Sequence, residues 1–138
     1  METKILCVCF GNTCRSPMLQ ALLARDLSRQ EFEIESAGLS GNAGKAASPH
    51  AIKCMQEKGL DITDHRSRKA SDLNLHSYDH IYCVEKVLSQ RLIELGTPRE
   101  RIEVVEVSNP YGKDLATYHA CAEVLSKIAT TLARKLNQ

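Results

Sequence analysis

The sequence predicts a single-domain α/β fold: a four-stranded, twisted parallel sheet with helices on both faces. Three observations predict it. Short apolar runs alternate with longer stretches of helical periodicity, the pattern of a parallel sheet whose crossovers are helices. The first run, Lys4 to Cys9, is almost continuously apolar, as in a strand buried on both faces. The length, 138 residues, suits one domain that can bury a core without disulfides or metal.

The elements follow in order. Lys4 to Cys9 is the first strand. After a short polar loop, Pro17 opens a helix with Met18, Leu19, Leu22, Leu23 and Leu27 at helical spacing and Ser16 as its N-cap. Phe32 to Ala37 alternates apolar and acidic residues as a second strand. Gly38 to Ser48 holds three of the seven glycines and is a loop. Pro49 opens a second helix running to about Lys58, stopped by Gly59. Asp61 to Ala70 is irregular, with a short helix near Ser71 to Leu75. His80 to Val84 is a third strand, and Glu85 to Leu95 a helix ended by Gly96 and Pro98. Ile102 to Val107 is a fourth strand and Ser108 to Lys113 a loop. The last helix, about Asp114 to Leu136, carries Leu115, Tyr118, Cys121, Leu125, Ile128, Leu132 and Leu136 on one face.

The net charge of +1, with acids and bases interspersed, argues against a nucleic-acid footprint or a membrane-binding basic patch. Six apolar residues after Met-Glu-Thr-Lys are too few for a signal sequence or a membrane span, so a cytoplasmic protein is expected. Its six cysteines are then expected to be reduced. Cys7, Cys54 and Cys121 fall on apolar positions, where a free cysteine acts as a small hydrophobe. Cys7, Cys9 and Cys14 form C-x-C-x₄-C, but no fourth ligand follows at zinc-site spacing.

Chemistry concentrates in Cys9-Phe10-Gly11-Asn12-Thr13-Cys14-Arg15-Ser16, which joins the buried strand to a helix N-terminus. Successive N–H groups in such a loop form a nest for an anion, reinforced by the positive end of the helix. Ligands of open α/β sheets bind at the carboxyl ends of strands, where this loop lies. Gly11 is expected to supply a backbone conformation closed to other residues. The planar fork of Arg15 suits two oxygens of a tetrahedral dianion. The field that holds phosphate also favours thiolate at Cys9, placed to attack phosphorus. The loop N–H groups and Arg15 would then stabilise the equatorial oxygens in the transition state. Packing alone is the bland reading of a strand-end cysteine, and G-N-T-C-R-S beside it argues against that.

The run C-F-G-N-T-C-R-S-P-M resembles the signature of low-molecular-weight protein tyrosine phosphatases, and the resemblance covers nearly the whole chain, residues 1–138 as one domain. Ser36-Ala37-Gly38, Asp64-His65-Arg66-Ser67-Arg68, Tyr78-Asp79-His80-Ile81 and Asn109-Pro110-Tyr111-Gly112 extend it. It implies that Cys9 is the nucleophile of a phosphocysteine mechanism, Arg15 the phosphate clamp, and Ser16 a stabiliser of the departing thiolate. Phe10 to Arg15 would bind phosphate, and Asn12 and His65 would hold the loop by hydrogen bonds. Phosphorylated proteins or small phosphomonoesters are the implied substrates, and inorganic phosphate and other oxyanions the implied ligands or inhibitors. No metal or organic cofactor is implied.

One position departs from the family. The general-acid aspartate before the acid-loop proline is Asn109 here. A carboxamide donates no proton near neutral pH, and loss of such a group typically costs ~10²–10⁴ in rate. Three readings follow: a phosphatase using another acid (Asp114 and Glu106 are nearest in sequence), a phosphate-binding pseudophosphatase, or an oxyanion reductase. Related arsenate reductases use two neighbouring cysteines beyond the third strand, and Cys83 has no such partner. Cys14 is open to two readings, a reversible redox partner of Cys9 or simple packing. For the substrate wall, Leu39 to Ala47 contains no aromatic, leaving Tyr111. Thr13 and the stretch from Gly44 to Ala51 resemble the bacterial protein-arginine phosphatase branch, but such an enzyme would also use the missing aspartate to engage the guanidinium.

Overall fold

The computed structural model describes residues 2–138. β1 (Thr3–Cys9) buries every side chain from Ile5 onward, which explains its unbroken apolar run. It pairs in parallel with β2 (Phe32–Gly38) on one edge and with β3 (His80–Cys83) on the other. β4 (Ile102–Val104) adds to β3, giving one four-stranded parallel sheet in the order β2-β1-β3-β4.

Four α-helices accompany the sheet: α1 (Arg15–Asp26), α2 (Pro49–Gln56), α3 (Lys86–Glu94) and α4 (Leu115–Leu136). The chain leaves β1 toward one edge through α1 and leaves β3 toward the other through α3. Right-handed crossovers therefore set those helices on opposite faces. α4 packs on α1 and α2, burying Tyr118, Cys121, Ala122, Leu125, Ala129, Leu132 and Ala133. The strand order reverses beside β1, and that switch point places a cleft at the carboxyl ends of β1 and β3. Among the described residues, no helix is long and apolar enough to cross a membrane.

Three expectations need correction. The fourth strand stops at Val104 rather than Val107; beyond it, only isolated bonds such as Val105 N–H to Cys83 O (2.8 Å) and Val107 N–H to Val84 O (3.0 Å) tie the chain to the sheet. The short helix near Ser71 is two single 3₁₀ turns, Ala70–Asp72 and Leu75–Ser77. The first helix starts two residues early, at Arg15, so Ser16 lies within its first turn and does not cap it. Cys14 occupies the N-cap position and makes no capping bond with its side chain. A first turn without that side-chain cap keeps its N–H groups free to face an anion.

Candidate active site

The loop from Cys9 to Ser16 is held from inside by one residue. Asn12 is fully buried and is the only non-glycine with positive φ (+58°) among the described residues. Its Nδ2 donates to Ser16 Oγ (2.7 Å) and Ser36 Oγ (3.0 Å), and its Oδ1 accepts from Arg68 N–H (2.9 Å). Its backbone carbonyl accepts from His65 Nε2 (2.7 Å). A carbonyl cannot donate, so Nε2 carries the proton. Burial holds His65 below its usual titration range despite that bond, with the Arg68 and Arg66 charges acting in the same direction as burial.

The expectation for Gly11 is therefore wrong. Gly11 does not occupy the left-handed region, and a Cβ there would meet only Thr13 Oγ1 at 3.8 Å. Asn12 takes the left-handed conformation instead, because its short amide bonds locally and tolerates it. The glycine the loop does require is Gly38, at the end of β2. A Cβ there would lie 2.9 Å from Phe10 O and 3.0 Å from both Asn12 N and Asn12 Cβ. Gly38→Ala must push the loop outward. We expect it to lose about 1–3 kcal/mol of stability in chemical denaturation, and about 10²-fold in turnover from an ångström-scale misplacement.

Cys9 Sγ ends β1 beneath this loop. It receives the Asn12 N–H at 3.2 Å and lies 2.9 Å from Ser16 Oγ. Since the Asn12 amide already donates to Ser16 Oγ, the serine proton is free to point at sulfur. Four other cysteines are chemically quieter: burial pushes the Cys7, Cys54, Cys83 (to about 11) and Cys121 (to about 12) thiols up. Cys14 Sγ packs 3.2 Å from Tyr118 Oη and 3.5 Å from Ser48 Oγ. All six cysteines are free.

Arg15, 1% exposed, is anchored through one nitrogen. Its Nη1 donates to Glu85 Oε1 (2.6 Å) and to Val107 O (2.7 Å), while its buried Nε has no partner among the described residues. A buried donor left without an acceptor costs on the order of 1–3 kcal/mol. Such a donor beside a loop of N–H groups is what an oxyanion site presents.

These residues open on a cleft of about 530 Å³ lined by Cys9, Phe10, Gly11, Thr13, Cys14 and Arg15, by residues of the loop after β2, and by Asn109 and Tyr111. Asn109 is exposed, and its Oδ1 accepts from Tyr111 N–H at 3.1 Å. Tyr111 and Phe10 are the two aromatics of the lining, 67% and 52% exposed. Phe10 thus joins Tyr111 as a wall. Neither carboxylate near Asn109 in sequence reaches the cleft. Asp114 caps α4 through Thr117 N–H (2.9 Å) and Thr117 Oγ1–H (2.6 Å), which hold its carboxyl below the usual range. Glu106 instead accepts from Lys86 N–H at the start of α3 (2.7 Å).

Sequence reasoning missed Glu85, Ser36, Arg68 and Ser67 as parts of this site. Glu85 had a usable signal, because it lies two residues beyond the carboxyl end of β3. The other three act only through contacts between distant segments.

The sequence model of the low molecular weight phosphotyrosine protein phosphatase family matches residues 4–138. The chain belongs to this family of cysteine-dependent phosphatases. Two curated relatives of the family span nearly the same length. The low molecular weight protein-tyrosine-phosphatase Wzb of Escherichia coli (strain K12) is 36% identical over 146 residues, covering 99% of this chain and 97% of Wzb. The protein-arginine-phosphatase of Geobacillus stearothermophilus is 30% identical over 146 residues, covering 99% of this chain and 97% of its own. A solved family structure, Vibrio vulnificus Wzb in complex with benzylphosphonate, superposes with a TM-score of 0.89 at 25% identity, covering 98% of this chain and 99% of that one.

Proposed function

We propose that the protein hydrolyses phosphomonoesters, protein phosphotyrosine first among them, through a phosphocysteine on Cys9. The observation that carries this reading is the pairing of Cys9 Sγ, which accepts from Asn12 N–H and lies 2.9 Å from Ser16 Oγ, with the Nε of Arg15 on the same loop, unpartnered among the described residues. Thiolate attack on phosphorus forms the P–S bond as the ester P–O bond breaks, and the ester oxygen leaves with the bonding pair. Arg15 and the loop N–H groups hold the equatorial oxygens through that step. Water then attacks phosphorus, forming the new P–O bond and losing a proton to solvent as the P–S bond breaks; the bonding pair returns to Cys9 Sγ beside the Ser16 hydroxyl, and phosphate is released. Phe10 and Tyr111 give a phosphotyrosine ring two aromatic surfaces. The benzylphosphonate bound to the Vibrio relative has the same aryl-and-phosphorus shape.

Asn109 shapes the kinetics. It can neither protonate the departing phenolate nor take a proton from the attacking water, so both steps run slowly unless the leaving group is already good. Among the described residues, no Asp or Glu lines the cleft. That observation favours, as a second reading, a phosphotyrosine binder with little turnover, and it speaks against phosphoarginine, whose guanidinium calls for a carboxylate. The six free cysteines support action in the cytoplasm. The test is phosphate release from matched phosphotyrosine and phosphoarginine peptides by the natural protein. Release from phosphotyrosine over many turnovers supports the enzyme, and tight binding with release at or below one equivalent supports the binder. Faster release from phosphoarginine contradicts both.

A further inference from the structure

Apart from Arg15, the cleft lining contains one charged side chain, Lys45. Its position is fixed by a buried serine from a distant segment. Ser67, 3% exposed, donates its N–H to Lys45 O (2.7 Å), and its Oγ accepts from Lys45 N–H (2.9 Å) while donating to Asn42 O (2.8 Å). The carbonyl of Ser67 accepts from Gly44 N–H (2.8 Å). Lys45 therefore projects from a pinned backbone. Its ammonium forms no ion pair among the described residues.

Arg15 and the loop N–H groups face the phosphate itself, whereas Lys45 belongs to the exposed loop after β2 that forms another part of the lining. A second cation at an exposed part of the same cleft, with no carboxylate in the lining to neutralise it, remains to attract another anion. The Asn109 substitution contributes here as well, because an aspartate at that position would place a negative charge in the same lining.

We propose that Lys45 is a specificity residue that makes the cleft prefer phosphotyrosine sites flanked by acidic residues. This rests on the phosphotyrosine reading above and adds the chemistry of the surrounding peptide. A solvent-exposed charge pair of this kind changes affinity by about 3–10-fold, and the effect shrinks with added salt.

The test uses the Cys9→Ala protein, so that binding is read without turnover. Three phosphotyrosine peptides, identical except for acidic, neutral or basic flanks, are titrated at low and high salt. The expected order is acidic tightest and basic weakest, with neighbouring steps of about 3–10-fold at low salt and smaller steps at high salt. In the same background, Lys45→Ala should flatten the order and Lys45→Glu should reverse it. An order that survives both substitutions, or no order at all, overturns the assignment of Lys45 and leaves the phosphotyrosine reading standing. Failure of every peptide to bind, while inorganic phosphate does, overturns both.

Discussion

Arg15→Lys is expected to lower kcat/KM for an activated aryl phosphate by about 10²–10³-fold, the scale for losing one preorganised donor to transition-state oxygens. The geometry explains why a conserved charge does not rescue it. The guanidinium divides its work: Nη1 is committed to Glu85 and Val107 O, leaving the other side of the fork, with its unpartnered Nε, for the anion. An ammonium is a single point of charge on a flexible stem, and once drawn to Glu85 it cannot also present a planar pair of donors. The variant should also bind inorganic phosphate more weakly, measurable by competitive inhibition. A thermal melt distinguishes this from misfolding, since Lys can still meet Glu85 and the core around it is unchanged.

Asn109→Asp is expected to raise turnover of phosphotyrosine by ~100-fold or more, while changing turnover of an activated aryl phosphate far less. The difference between the two substrates is the diagnostic part. An activated phenolate departs without a proton, whereas the tyrosine phenolate needs one, so a restored acid helps the second far more. The substitution suits the site structurally. Asn109 uses only Oδ1, to accept from Tyr111 N–H, and an aspartate oxygen accepts the same bond. If the natural protein is already fast on phosphotyrosine and the variant gains nothing, another group supplies the proton. Asp114 and Glu106 are poor candidates, because both are engaged at helix N-termini.

The sequence made most of the sheet and helix order legible because the signals are local. The unbroken apolar run of β1, the Pro49 start of α2 and the one-faced periodicity of α4 each sit within one segment. The anion loop was legible for a similar reason: strand, glycine, arginine and helix start are contiguous. What could not be read locally depends on contacts between segments. Gly11 looked like the glycine the loop needed, yet the left-handed residue is Asn12 and the close approach falls on Gly38 from the next strand. Ser16 looked like an N-cap because Ser-Pro usually is one, but here its hydroxyl is occupied by Cys9 and Asn12. Glu85 and Ser67 meet the site only after folding, the first across 70 residues from Arg15 and the second across 22 from Lys45.

The central claim, a phosphocysteine on Cys9, is tested most directly by rapid quenching with an activated aryl phosphate, followed by mapping of the phosphorylated residue. Without an acid or base at position 109, the first step proceeds with a good leaving group while hydrolysis of the P–S bond lags. The account therefore predicts a burst of about one equivalent of phenol per protein, one phosphate on Cys9, and loss of both in Cys9→Ala. Phosphate release without any phosphorylated Cys9, or a burst that persists in Cys9→Ala, would contradict it.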